Sequence, residues 1–82
     1  MSKKTSNYDL STFEVERFLE KSEKGVKVEI LSKISNELEK KWLPKKEVRV
    51  GKYDQRISEI ENYEHVDKIK IPYWLALNNN LI

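Results

Sequence analysis

Cysteine is absent from this chain of 82 residues, which excludes disulfides and thiolate metal ligands and makes a reducing interior the expected compartment, cytoplasmic or nucleoid-associated. Glycine occurs only at Gly25 and Gly51, so there is no glycine-rich loop to cradle a phosphate. Histidine occurs once, at His65, beside Glu64 and near Asp67. One imidazole with two neighbouring carboxylates lacks the spacing of a structural metal site, and no nucleophile with an orienting base is evident. No apolar run is long enough to span a bilayer, and none follows the basic start at Lys3 and Lys4 as a signal peptide would require. The expectation is a protein without catalysis, cofactor, metal or membrane segment.

Charge, by contrast, is plentiful: 37% of residues are charged, for a net +2, and the cations are unevenly spread. Lys40, Lys41, Lys45, Lys46, Arg49, Lys52 and Arg56 crowd one window opposed only by Glu47 and Asp54, with net acidic segments on either side. Such a cluster attracts phosphate over roughly 8 Å at physiological salt even in a nearly neutral protein. The plainer reading is a solvated loop and helix end, where lysines favour the macrodipole. Trp42, Tyr53, Tyr63, Tyr73 and Trp74 all lie in the second half. Trp42 or Tyr53 beside Lys45, Lys46 and Arg49 could stack bases while the cations track phosphates. Alternatively, Trp42 and Trp74 are large core residues, or one of them anchors a protein interface.

The chain suits one small domain over 10–82, preceded by a flexible basic arm over 1–9. Ser11 with Glu14 has the form of a capping box, and Val15, Phe18 and Leu19 share a helical face, so a first helix is expected from Thr12 to Lys24, ending at Gly25. Val26, Val28 and Ile30 alternate as in a strand, but Ile30, Leu31, Ile34, Leu38 and Trp42 follow the longer three-to-four spacing. Glu29 with Lys33 and Glu37 with Lys41 add favourable pairs four apart, which places a second helix over Val28 to Leu43, stopped by Pro44. From Pro44 the character changes. Val48 and Val50 alternate as a strand before a turn at Gly51 and Lys52, and 55–62 is ambiguous between helix and strand. The expected architecture is therefore α+β: two N-terminal helices in a helical half, 10–43, then a small β-sheet and a short C-terminal helix in a β-containing half, 44–82. The asparagines at 78–80 read as a fraying helix end.

The run Lys68 to Ala76, KIKIPYWLA, carries the most specific signal. Pro72 fixes φ, lacks an N–H and pushes Ile71 toward extended geometry, so a strand should give way to a helix there. Ile71, Pro72, Tyr73, Trp74, Leu75 and Ala76, with Val48 to Val50 upstream, resemble the small β-domain of GINS replication-complex subunits. The resemblance covers 47–82 and implies strands at 55–62 and at Ile69 and Ile71, with a turn from Tyr63 to Asp67 between them. It also implies a non-catalytic scaffold that meets a helicase, polymerase or primase component through Tyr73, Trp74 and Leu77. By its length the chain is expected to be a truncated relative, a fragment or a mimic rather than a full subunit. The alternatives are a small viral or plasmid DNA-binding regulator of winged-helix type, using the basic window, or an inhibitor that binds a host protein. Oligomeric state is not legible in the sequence.

Overall fold

A computed structural model describes residues 9–82, and within them the chain is mainly β. Six strands form one antiparallel sheet: β1 (Leu10–Lys21), β2 (Gly25–Leu31), β3 (Leu38–Pro44), β4 (Arg49–Val50), β5 (Gln55–Arg56) and β6 (Lys68–Pro72). Their order across the sheet is β3-β2-β1-β6-β4-β5. Short 3-10 turns at Lys45–Glu47 and Ile57–Glu59 flank β4 and β5, and a single helix, α1 (Tyr73–Asn78), follows β6. The expected arm at 1–8 lies outside the described residues. Asp9 is described, and its carbonyl accepts the N–H of Tyr73 at 2.8 Å.

Both expected N-terminal helices are strands, and the cause is visible in the register. Along β1, Val15 pairs with Ile30 and Arg17 with Glu29, then Phe18 with Val28 and Glu20 with Lys27. Glu16 and Leu19 are thus extra residues, two β-bulges. A bulge adds one residue without advancing the partner, so inward positions recur at i, i+3 instead of i, i+2. The spacing of Val15 and Phe18 therefore imitates a helix. The Ser11 and Glu14 capping pair does not form; these residues face Ile71 and Lys68 across the ladder. Gly25 opens β2 instead of ending a helix, and Ser22 closes the hairpin before it with its N–H on the Gly25 carbonyl at 2.8 Å.

For the second expected helix, the shorter alternation is the true one. Val26, Val28 and Ile30 are fully buried, whereas Ile34, Leu38 and Trp42 are 63%, 47% and 49% exposed. The apparent helical stripe was assembled from two strands and the loop between them. The i,i+4 pairs vanish with it: Glu29 meets Arg17 at 3.1 Å, and Lys41 meets Glu39 at 3.3 Å. Ser32, wholly buried, organises the loop by accepting the N–H groups of Ile34 and Ser35 at 3.2 and 3.3 Å.

Downstream, β4 is the expected strand at Val48 to Val50, trimmed to Arg49–Val50, and Gly51 turns the chain with φ 77. The ambiguous segment at 55–62 resolves into the short β5 followed by a 3-10 turn. Lys68–Pro72 forms β6, and Pro72 stands at the N-cap of α1 with φ −60 and ψ 148. Asparagines 78–80 do more than fray. Asn80 adopts φ 57, its N–H bonds the Leu77 carbonyl at 3.1 Å, and the Leu81 N–H bonds that of Ala76 at 2.9 Å. This is a Schellman cap, in which asparagine tolerates the left-handed position that glycine usually takes. The cap drives Leu81 into the core, and the Leu81 carbonyl receives the N–H of Lys33 at 2.9 Å.

The core gathers the inward residues of every long strand: Phe13 and Val15, then Val26, Val28 and Ile30, then Leu43, Ile69 and Ile71, closed by Leu75, Ala76 and Leu81 from the C-terminal segment. Phe18 meets Tyr63 edge-on with ring centroids 5.2 Å apart, extending the core under the loop before β6. Consequently the outward residues of the same strands carry the charge.

Candidate nucleic-acid interface

In an antiparallel ladder, directly paired residues project from the same face of the sheet. Arg49 on β4 pairs with Arg56 on β5 and with Lys70 on β6, and Lys70 pairs in turn with Thr12 on β1. Three cations therefore stand in one row across three strands, on the face opposite Val48, Val50, Ile69 and Ile71, all of which are buried. Lys68, two residues before Lys70, joins the same face opposite Glu14. Beyond the row along the strand direction, the turn joining β4 to β5 carries Lys52 and Tyr53. Tyr53 is 86% exposed, with the Lys52 ammonium 5.7 Å from its ring centroid.

Within this row the charges are only partly compensated. Lys70 donates to Asp54 Oδ1 at 2.6 Å and to the Gly51 carbonyl at 3.0 Å, so the turn is clasped to β6. Arg49 is half-buried between its two cationic neighbours, and its Nε has no hydrogen-bond partner among the described residues. Like charges directly opposite each other oppose sheet formation by several tenths of a kcal/mol per pair. The arrangement does not help the fold.

The sheet divides the basic window read from sequence. Arg49, Lys52 and Arg56 come together as described, joined by Lys68 and Lys70, which lay outside the window. Their signal was the alternation K-I-K-I, in which two buried isoleucines force two lysines onto one outer face. Lys40 and Lys41 belong to β3, at the other end of the strand order. Lys40 is exposed opposite Glu29, and Lys41 is tied to Glu39. Lys45 and Lys46 sit on the 3-10 turn after β3 and line, with Lys24, Pro44 and Ser58, an open cleft of about 390 Å³. The winged-helix arrangement has no counterpart here, because its proposed helices are strands.

The expected partner residues on α1 separate as well. Leu75 and Ala76 are buried, Trp74 packs its partly covered indole on the core, Tyr73 is half-buried, and Leu77 is 48% exposed. Trp42 is the more exposed tryptophan; it lies over Gly25, where an added Cβ would come within 3.5 Å of its Cε3.

His65 is exposed in the loop before β6, where it lines a cleft of about 480 Å³ with Gly51, Ile60 and Lys68. Among the described residues no group of three or more His, Asp or Glu is arranged to hold a metal ion, and no helix is long and apolar enough to cross a membrane. Titration is perturbed elsewhere. The hydrogen bond between Lys21 and Glu64, 2.7 Å, raises the ammonium above its ordinary value and lowers the carboxyl, while burial pushes the neighbouring Tyr63 hydroxyl up. On β3, the Ser35 hydroxyl and then Lys41 hold the Glu39 carboxyl down.

Fold and face together define a small, mainly antiparallel β-domain with a cationic row on the outer face of β4, β5 and β6 and an exposed tyrosine on the adjoining turn. Comparison with known protein families, with curated proteins and with solved structures finds no match to the chain.

Proposed function

We propose that this protein is a non-catalytic binding module of nucleic-acid-processing machinery, and that its outer face of β6, β4 and β5 holds single-stranded nucleic acid. The observation that carries the reading is the in-register row Lys70, Arg49 and Arg56, flanked by Lys68, Lys52 and the exposed Tyr53. Cations spaced along a sheet track phosphates, and an exposed ring stacks a base for about 1–3 kcal/mol without demanding a particular sequence. The direct opposition of Arg49 to two other cations works against the fold, which supports a role outside it. Fluorescence anisotropy with labelled oligothymidylate and with duplex DNA tests this. The expected result is binding at about 50 mM salt that falls steeply by about 200 mM, preference for the single strand, and loss of that preference in Tyr53→Ala. Absence of binding by the folded protein at the lower salt would exclude the reading.

A second reading places the module at replication forks as a protein scaffold, in line with the GINS resemblance of Ile71 to Ala76. The exposure of Leu77, beside half-buried Tyr73 and Trp74 on α1, favours a protein contact there. Its test is recovery of a helicase, polymerase or primase component from the native host, lost in Leu77→Asp with the protein still folded.

A further inference from the structure

Strand β3 is an edge of the sheet and, at seven residues, a long one. Its register with β2 runs from Gly25 opposite Pro44 to Leu31 opposite Leu38. Beyond the ends of that ladder, Ser32 donates to the Glu37 carbonyl and Lys45 to the Lys24 carbonyl, both at 2.9 Å. Hydrogen-bonded pairs recur every second residue, so Glu39, Lys41 and Leu43 turn their backbone groups toward β2. Leu38, Lys40 and Trp42 turn theirs outward, and no backbone group of another described residue meets them. The same three residues expose their side chains. An unpaired strand edge with exposed apolar flanks is a template for another strand.

Charge decides what kind of strand. A second copy of this chain pairing antiparallel about a two-fold axis would place a charged residue opposite itself at each central register: Glu39, Lys40 or Lys41. Like charges in direct opposition disfavour all three. Lys40, exposed on the outer face, and Lys45 and Lys46 just beyond the end of the strand instead suit acidic residues on the incoming strand, whereas Lys41 is already paired with Glu39 at 3.3 Å. Leu38 and Trp42 suit apolar ones. We infer that the β3 edge takes up an extended acidic segment of another protein by strand addition, pairing with the outward backbone groups of Leu38, Lys40 and Trp42. This surface is separate from the cationic face of β4, β5 and β6 and does not depend on nucleic-acid binding.

The probe is a capped seven-residue peptide, Glu-Thr-Val-Thr-Glu-Thr-Val, which when paired antiparallel sets its valines opposite Trp42 and Leu38 and the glutamate between them opposite Lys40, with the lysine-for-glutamate counterpart as control. Isothermal titration with the full chain should show binding of the acidic peptide only. Backbone amide exchange should slow at Lys40 and Trp42 while Glu39, Lys41 and Leu43, already bonded to β2, change little. Lys40→Pro removes one outward N–H and no ladder bond, and proline is tolerated on an edge strand, so the fold should persist by circular dichroism. The expected loss of affinity is about tenfold, and Lys40→Glu should lose more. Four results would overturn the inference: no binding by the folded protein, equal binding of the basic peptide, undiminished binding by folded Lys40→Pro, or a β3-mediated dimer in sedimentation. Should Lys40→Pro fail to fold, Lys40→Glu and the exchange pattern of the unmodified protein decide.

Discussion

Lys70 and Asp54 meet at 2.6 Å across the turn that joins β4 to β5, and the same ammonium bonds the Gly51 carbonyl at 3.0 Å. Asp54 reaches this position with φ 53, in the left-handed region. The contact orients a cation of the outer face and closes the turn that carries Tyr53.

Replacing Asp54 should therefore separate backbone from charge. Asp54→Asn keeps a side chain suited to left-handed geometry and loses a partly exposed ion pair, a cost of about 0.5 kcal/mol. Asp54→Val adds left-handed strain in a β-branched residue and should cost about 2 kcal/mol. Urea denaturation of the two variants measures the difference, and equal costs would show that the turn is not held as described.

Arg49→Met should trade binding for stability. Removing the central cation relieves its opposition to Lys70 and Arg56, raising stability by up to about 0.5 kcal/mol while an apolar stem remains. Affinity for oligothymidylate should fall, and the slope of log affinity against log salt should shrink by about 0.7 if one phosphate contact is lost. Denaturation and salt-dependent anisotropy on the same sample read both effects.

The sheet in place of helices is checked by a pair of isoleucines four apart. Ile30 is fully buried and Ile34 is 63% exposed. Ile30→Ala should cost about 2–5 kcal/mol, enough to unfold much of a small domain, whereas Ile34→Ala should stay within about 0.5 kcal/mol. Two residues on a shared buried helical face would respond alike. Thermal melts followed by circular dichroism distinguish these outcomes.

Stability should fall at both ends of the pH scale through the Lys21 and Glu64 pair. The Glu64 carboxyl is lowered from its ordinary 4.5, so its contribution is present above that value and is lost as pH falls through the lower folded value. The Lys21 ammonium is raised from 10.5, so its contribution is complete below that value and is lost as pH rises through the higher folded one. Tyr63, raised from 10.0 by burial, adds to the alkaline loss with the same sign. Melting temperatures across pH should show a shallower acid limb in Glu64→Gln, while Tyr63→Phe should soften the alkaline one.

Several features were open to reading in the residues alone because their causes are local. Pro72 ends a strand and starts a helix through its own ring, Gly51 turns the chain through its positive φ, and the alternation of Ile69 and Ile71 marks β6. The K-I-K-I pattern marks Lys68 and Lys70 as outward residues, although they lie outside the basic window from Lys40 to Arg56. The first forty residues were opaque for a different reason. Bulges at Glu16 and Leu19 converted the strand period into an apparent helical one, and a bulge is defined only by its partner strand. In the same way, the stripe from Ile30 to Trp42 looked continuous until the loop between β2 and β3 folded it back on itself.

The absence of thiol chemistry, the strand-to-helix junction at Pro72 and an excess of cations in the second half follow from the residues alone. Which cations stand together follows from strand pairing alone. Lys40 and Lys41 neighbour Arg49 in sequence yet belong to the opposite edge strand, while Lys70 lies twenty-one residues beyond Arg49 and stands directly beside it. Strand pairing is a non-local choice, made by burying Phe13, Val28, Ile30, Ile69 and Ile71 in one core, and the charged face is what that burial leaves outside.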